Sequence, residues 1–342
     1  FDFTKGFTNN SSNDEGWSYD QQRIDNLKRM ADEIWGTNSD AYVILEHFTE
    51  NSEEKELANY GMMTWGNIND AYSEATMGYH DNNKSDFSGI SYKEHGWDNP
   101  HHVGYMESHD EERLMYRNLQ YGNASGSYDI TELKTALDRM ELAAVFFITV
   151  PGPKMIWQFG ELGYDISIDS NERVGKKPVK WEYNREEDRK DLYNVFAALN
   201  HLRDKHDVFN TSDYSLSVAG KTKQITLVHN STDVVIMGNF GVTENTIYPN
   251  FTETGEWFEA FTGDTLNLES LNKELTLSPG EYRLYSTIKF DLSEFIEYED
   301  QEDQEDDTTT AVQSFAKQGQ IDVFPNPARD VVTFEFESSG HS

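Results

Sequence analysis

Residues 41–46 read Ala-Tyr-Val-Ile-Leu-Glu, an unbroken apolar run that stops at a carboxylate and leads into His47 and Phe48. Such a run marks a strand buried on both faces, the kind found in parallel sheets. Residues 1–5 (FDFTK) and 105–113 (YMESHDEER) repeat the pattern, each an apolar or aromatic lead-in that delivers Asp2 or Asp110. A carboxylate at the carboxyl end of a barrel strand sits where barrel enzymes keep their chemistry. For any one of these acids alone, a turn-capping role is the plainer reading.

The elements between these runs keep an alternating order. Ser18 and Gln21 have the spacing of a capping box. Ile24, Leu27, Ala31, Ile34 and Trp35 follow helical spacing to a stop at Gly36. Residues 1–46 therefore form one strand–helix–strand unit, the repeat of a parallel α/β fold. Further strands are predicted at 62–65, 103–107 and 154–157, with helices over 53–60, 67–77, about 133–147 and 192–202. Beyond residue 205 the helical period is lost. Short strands at 225–228, 234–237, 257–261 and 274–285, separated by turns such as Thr262-Gly263-Asp264 and Ser278-Pro279-Gly280, predict an all-β sandwich. Residues 291–307 carry ten carboxylates and no base, the composition of an extended acidic linker.

Composition narrows the function. A net charge of −34 over 342 residues disfavours nucleic acid and anionic membrane as partners, since both need basic patches. With no cysteine, disulfides, thiolate metal sites and cysteine nucleophiles are excluded. No apolar run is long enough for a membrane-spanning segment. The 7 Trp, 18 Tyr and 20 Phe suit a surface on which uncharged sugars stack.

Spacing then brings the acids together. One barrel step takes roughly 25–45 residues. Asp2 and Glu46 lie 44 positions apart, one step; Glu46 and Asp110 lie 64 apart, leaving room for the strand at 62–65. Three carboxylates thus reach the same end of nearby strands. Two carboxyl groups about 5 Å apart are what retaining glycoside hydrolysis needs, one as nucleophile and one as acid/base. Lys5 beside Asp2 favours its ionised form, and an apolar strand with a neighbouring carboxylate keeps an acid protonated.

These residues resemble the conserved regions of the α-amylase family, glycoside hydrolase family 13. FDFTK is similar to the tail of the fourth-strand region, ILEHF at 44–48 to the fifth, and YMESHDEER to the seventh. Residues 151–161, with Pro-Gly-x-Pro leading to Gly160-Glu161, are similar to the segment around the eighth. The resemblance covers roughly residues 1–284. It implies an α/β fold holding a partial (β/α)8 TIM barrel (strands 4–8) over 1–205 and a β-sandwich domain over 206–290, with the acidic linker over 291–310. It implies Asp2 as nucleophile, Glu46 as general acid/base, Asp110 as holder of the sugar 2- and 3-hydroxyls, His109 at the same subsite, and Lys5 on the leaving-group side. The expected partner is an α-glucan polysaccharide or oligosaccharide, cleaved at α-1,4 bonds. Glucan transglycosylation and non-catalytic glucan binding are the alternatives.

The family's arginine two positions before the nucleophile has no counterpart in this sequence, nor do the first-strand region and the subdomain inserted after the third strand. Those parts supply most of the usual calcium ligands, so calcium is expected only as a possible ion of the full-length protein and no metal ligand is assignable here. The chain reads as a fragment cut at both ends, inactive and marginally folded alone.

Other residues keep two readings. His47 touches substrate or satisfies a backbone group, and Arg113 pairs with a site carboxylate or forms a surface ion pair. Glu111 and Glu112 read as helix N-terminal charges. His95, His101 and His102 read as solvated loop histidines, Trp97 as a sugar platform or packing, and Trp65 as core. Asp165, Ser167, Asp169 and Asn171 alternate like a calcium loop without its glycine. Finally, IDVFPNPARD at 321–330 resembles the opening of the C-terminal sorting domain of type IX secretion, over 311–342. That implies contact with the type IX secretion machinery and a secreted or cell-surface attached protein.

Overall fold

The structure is a computed structural model that describes residues 1–9 and 16–296. Its first part alternates helix and strand: α1 (Gln21–Thr37), β1 (Ile44–Leu45), α2 (Asn51–Tyr60), β2 (Met63–Asn67), α3 (Asn69–Met77), β3 (His102–Tyr105) and α4 (Leu114–Tyr121). A small hairpin, β4 (Ala124–Ser125) and β5 (Tyr128–Asp129), precedes α5 (Leu133–Ile148), β6 (Lys154–Met155) and α6 (Glu187–Lys205). Strands β1, β2, β3 and β6 form a parallel sheet in that order. Chain order and spatial order agree without reversal, which is the winding of a barrel rather than of a doubly wound sheet.

Residues 1–3 are not a full ladder strand. The Phe1 ammonium donates to the Ile44 carbonyl at 2.7 Å and Glu46 N–H donates to Phe1 O at 2.9 Å. These two bonds make one parallel step beside β1. The chain then turns at Phe3, whose φ of 46° is left-handed. Close approach inside the sheet is set by Gly66, where a Cβ would lie 1.9 Å from His102 Nε2.

Helix α1 buries Ile24, Leu27 and Ala31 against Val43, Leu45 and Leu57, as helical spacing requires. Its cap is Asp20, which accepts from Gln22 and Arg23 N–H; Ser18 and Gln21 form no capping box. Asp20 stands one residue before the helix with extended backbone, the geometry a cap needs, whereas the Ser18 carbonyl is taken by Arg23 at 3.0 Å.

Helix α5 is buried on nearly every side because helices α3, α4 and α6 and the sheet that follows pack around it. A second part follows: β7 (Tyr214–Ser217), β8 (Thr222–Leu227), β9 (Val234–Asn239), β10 (Asn245–Ile247), β11 (Gly255–Glu259), β12 (Thr265–Leu268), β13 (Leu275–Leu277) and β14 (Tyr282–Ser286). Six strands form an antiparallel sheet in the order β12-β11-β14-β9-β8-β7, and β10 pairs with β13. The apolar run at 274–285 is two strands, not one, broken by a turn at Gly280 with φ 81°. The period of 2 in β9 explains its burial on both faces. Val234 and Ile236 join the cluster around Phe146 and Phe147 of α5, while Val235 and Met237 pack with Trp257 and Leu277.

Two cations fasten the parts. Arg139, fully buried, donates to the carbonyls of Ala75 and Thr76 at 2.6 and 2.9 Å and to those of Asn239, Phe240 and Gly241. Lys223, also buried, donates to Ser85 O at 2.8 Å. The described residues fall within one compact unit. The segment expected to begin a linker at 291 is packed at first, with Leu292 buried in the core and Phe295 and Ile296 against it. The remaining linker and the sorting-domain motif lie outside the described residues.

Candidate active site

The carboxyl edge of the parallel sheet gathers four groups from three loops. Asp2 follows the parallel step at Phe1, Glu46 follows β1, and His109 and Asp110 lie in the loop between β3 and α4. Glu46, His109 and Asp110 each offer an atom within 4.8 Å of the others. Asp2 stands beside Glu46, and both its side chain and its charge push the Glu46 carboxyl up. Asp2, Glu46, His109 and Asp110 are therefore brought into one site.

The environment favours the protonated form of Glu46. Burial pushes the Glu46 carboxyl up, and so do the adjacent Asp2 side chain and its charge; the Phe3 N–H, donating to Oε2 at 3.2 Å, opposes them. One carboxyl pushed up beside another is the arrangement that can divide acid from nucleophile. His109 lies 3.7 Å from Asp110 (Nε2 to Oδ2). Its ring sits between two indoles, 6.1 Å from Trp65 and 5.9 Å from Trp157. Trp65, read from the sequence as core, thus faces the site with one edge.

The remaining predicted groups are placed differently. Lys5 is buried, its ammonium 3.4 Å from the centre of the Trp17 ring. His47 is fully buried with both ring nitrogens engaged, by Thr4 Oγ1 and by Glu53 Oε1 at 2.8 Å each, so it offers no nitrogen to a ligand. Arg113 makes neither a site ion pair nor a surface one. It is 2% exposed and donates to the Ser108 carbonyl of its own loop, with its guanidinium 5.9 Å from the Trp157 ring. Glu111 and Glu112 are loop ties rather than helix charges. Glu111 accepts from Asn67 at 2.5 Å, and Glu112 accepts from Ser167 Oγ at 2.7 Å and Ile168 N–H at 2.9 Å.

The supposed calcium loop does not converge. Asp165 pairs with Arg189 at 2.8 Å, Ser167 serves Glu112, and Asn171 bonds Lys176 O. The reach to hold a cation belongs instead to Glu46, His109 and Asp110. His95, His101 and His102 are not solvated loop residues either. His102 is 4% exposed on β3, while His95 and His101 bond the Gly89 and Ala58 carbonyls. Trp97 is packed, its indole N–H on Asn51.

Sequence reasoning missed Trp157, Gln158, Tyr164 and Arg173. With His109, Asp110 and Arg113 they line a pocket of about 310 Å³. Arg173 Nη2 donates to the Asp110 carbonyl. Trp157 sits just past β6, where an aromatic after a short strand was the available signal; Arg173 lies in a polar loop with no periodicity. Three phenylalanines around this edge, Phe3, Phe48 and Phe159, have φ of 46°, 53° and 63°. Such backbone costs about 1–3 kcal/mol per residue and clusters at functional sites.

No protein-family model matches the sequence, and no curated protein matches it. Solved structures do match. AmyP, solved in complex with maltose, is similar at a TM-score of 0.55 and 15% identity, over 78% of this chain and 62% of its own. CldA, a cyclomaltodextrin glucanotransferase, gives 0.58 and 16%, over 78% and 54%. The α-amylase of Geobacillus thermoleovorans, complexed with acarbose, gives 0.53 and 12%, over 78% and 64%. The chain spans less than two thirds of the length of each. These neighbours are barrel enzymes of the α-amylase family, and the likeness shows that the chain shares their fold.

Proposed function

We propose that this chain carries the acid/base machinery of a retaining glycoside hydrolase acting on α-1,4-linked glucans. The observation that supports it most is the Glu46 carboxyl, pushed up by burial and by Asp2 beside it, within reach of His109 and Asp110. In this reading the Asp2 carboxylate attacks the anomeric carbon while the Glu46 proton passes to the departing glycosidic oxygen. The C–O bond breaks and a glycosyl ester forms on Asp2. Glu46, now ionised, takes a proton from water as the water oxygen attacks the same carbon, and Asp2 is released. Asp110 and His109 hold the sugar hydroxyls, and Lys5 and Trp17 border the leaving-group side.

Trapping the ester tests this. Incubation of the full-length protein with a fluorinated α-glucosyl fluoride is expected to add one sugar mass to the peptide holding Asp2. Label on another residue, or an inverted product anomer, refutes the mechanism. The glucanotransferase CldA among the similar structures favours a second reading, transfer to a sugar acceptor instead of water. Product analysis on maltoheptaose separates the two, since only transfer lengthens, branches or cyclises the chain. We also propose export to the cell surface or medium, on the motif at 321–330. Calcium, if the full-length protein uses it, finds no ligand set in the loop from Asp165 to Asn171.

A further inference from the structure

Behind the carboxyl pair lies a second polar chain that touches no solvent. Arg23 and Glu53 are both fully buried and joined twice, Nε to Oε1 at 2.6 Å and Nη2 to Oε2 at 2.8 Å. His47 Nε2 lies 2.8 Å from Glu53 Oε1, and its Nδ1 lies 2.8 Å from Thr4 Oγ1. Hydrogen bonds from His47 and Arg23 outweigh the burial that pushes Glu53 up, so Glu53 is held below the usual range, as an ionised acceptor. Nε2 of His47 therefore carries the proton and Nδ1 receives the Thr4 hydroxyl.

The chain ends on the backbone that carries the acids. Thr4 N–H donates to the Glu46 carbonyl at 2.8 Å; with its one proton given to His47, the Thr4 hydroxyl oxygen only packs 3.0 Å from the same carbonyl. One residue earlier, Phe3 N–H reaches the Glu46 carboxyl itself. Arg23 adds a second grip at the other end of the turn, donating to Lys5 O at 2.6 Å and to the Gly16 and Ser18 carbonyls that bracket Trp17. The left-handed turn at Phe3 is thus pinned on both sides by one buried network.

We propose that Arg23, Glu53, His47 and Thr4 form a positioning relay that fixes the Phe3 turn and so the placement of the Asp2 carboxyl against Glu46. This rests on the reading of those two acids as nucleophile and acid/base. The relay acts on the geometry of the reacting pair and not on the sugar, because none of its side chains reaches the surface. Misplacement by a fraction of an ångström lowers the rate of the chemical step while leaving sugar binding intact.

The experiment compares Thr4→Val, Thr4→Ser, His47→Gln and the Thr4→Val/His47→Gln double variant in the full-length protein on a soluble α-glucan. Thr4→Val is expected to lower kcat about tenfold with KM changed less than twofold, and Thr4→Ser to stay within threefold of the parent. His47→Gln cuts the same relay, so the double variant is expected to lose no more than the worse single one. An unchanged kcat in Thr4→Val, a KM that rises in step with the fall in kcat, or losses that multiply in the double variant overturns the relay. If Thr4→Val does not fold, Thr4→Ala carries the same comparison. Glu46→Gln separates this from the functional reading: if it stays active, the reading itself fails, whereas an inactive Glu46→Gln beside a normal Thr4→Val sinks only the relay.

Discussion

The edge of the parallel sheet and the seam behind α5 treat charge in opposite ways. At the edge, the carboxyls of Asp2, Glu46 and Asp110 come together, and burial with Asp2 beside it pushes Glu46 up. At the seam, Arg139 and Lys223 carry positive charge into the interior, where carbonyl oxygens receive it. The seam has satisfied its polar groups, so its charge is a fastening. The edge instead sets Glu46 beside a second carboxyl, so that burial and Asp2 together disfavour its ionised form. That difference separates a site prepared for chemistry from one prepared for stability.

Substitutions at each place sharpen this contrast. The largest effect belongs to Glu46→Gln, which removes the proton donor and is expected to lower kcat by about 10²–10⁴ without lowering the unfolding temperature. A large loss of stability there would erase the distinction. Arg139→Met should do the reverse. It strands carbonyls that have no water to turn to, and denaturant melts are expected to show about 3 kcal/mol or more of lost stability, with kcat per folded molecule unchanged. Asp2→Asn abolishes turnover as well, but its informative readout is Glu46. Without its charged neighbour, the Glu46 carboxyl should titrate at a lower pH in a carbon NMR titration.

The smallest effect concerns Glu107, buried beneath the edge. Burial pushes it up to about 7, opposed by the Arg113 charge and the Leu114 N–H. Its folded pKa exceeds the unfolded one, so it binds protons more tightly in the native state. Its contribution is complete below about pH 4.5, near the ordinary carboxyl value, and is lost as pH rises through 7. Glu107→Gln keeps the acceptor for Leu114 and removes the titration. The melting temperature of the variant, relative to the parent, should therefore rise between pH 4.5 and 7.

The order of elements was legible because apolar runs and helical spacing are properties of neighbours in sequence. Val103 and Tyr105, or Leu137 and Met140, announce their partners by period alone. Short ladders were not. β7, β10 and β12 carry half-polar patterns such as Thr265-Leu266-Asn267-Leu268, and pair because β8, β13 and β11 lie beside them. Among the site residues, acids at the ends of apolar runs stood out. His47 and Arg113 did not reveal that they turn inward, since only the partners Glu53, Thr4 and Ser108 decide it, and those are fixed by folding. Trp65 faces His109 only because β2 and β3 pair in one register.

Phe3, Phe48 and Phe159 stand where glycine is the natural occupant of the backbone, Phe48 and Phe159 past β1 and β6 and Phe3 past the single parallel step at Phe1. A bulky ring there cannot relax the turn the way glycine can, so each loop is left with few alternative paths. Evolution has two ways to loosen such a corner: a single change to glycine, or drift in the loop's length. Related chains that kept the fold but abandoned turnover are the ones in which these three corners should have softened, and a survey of those positions alone would sort active lineages from retired ones.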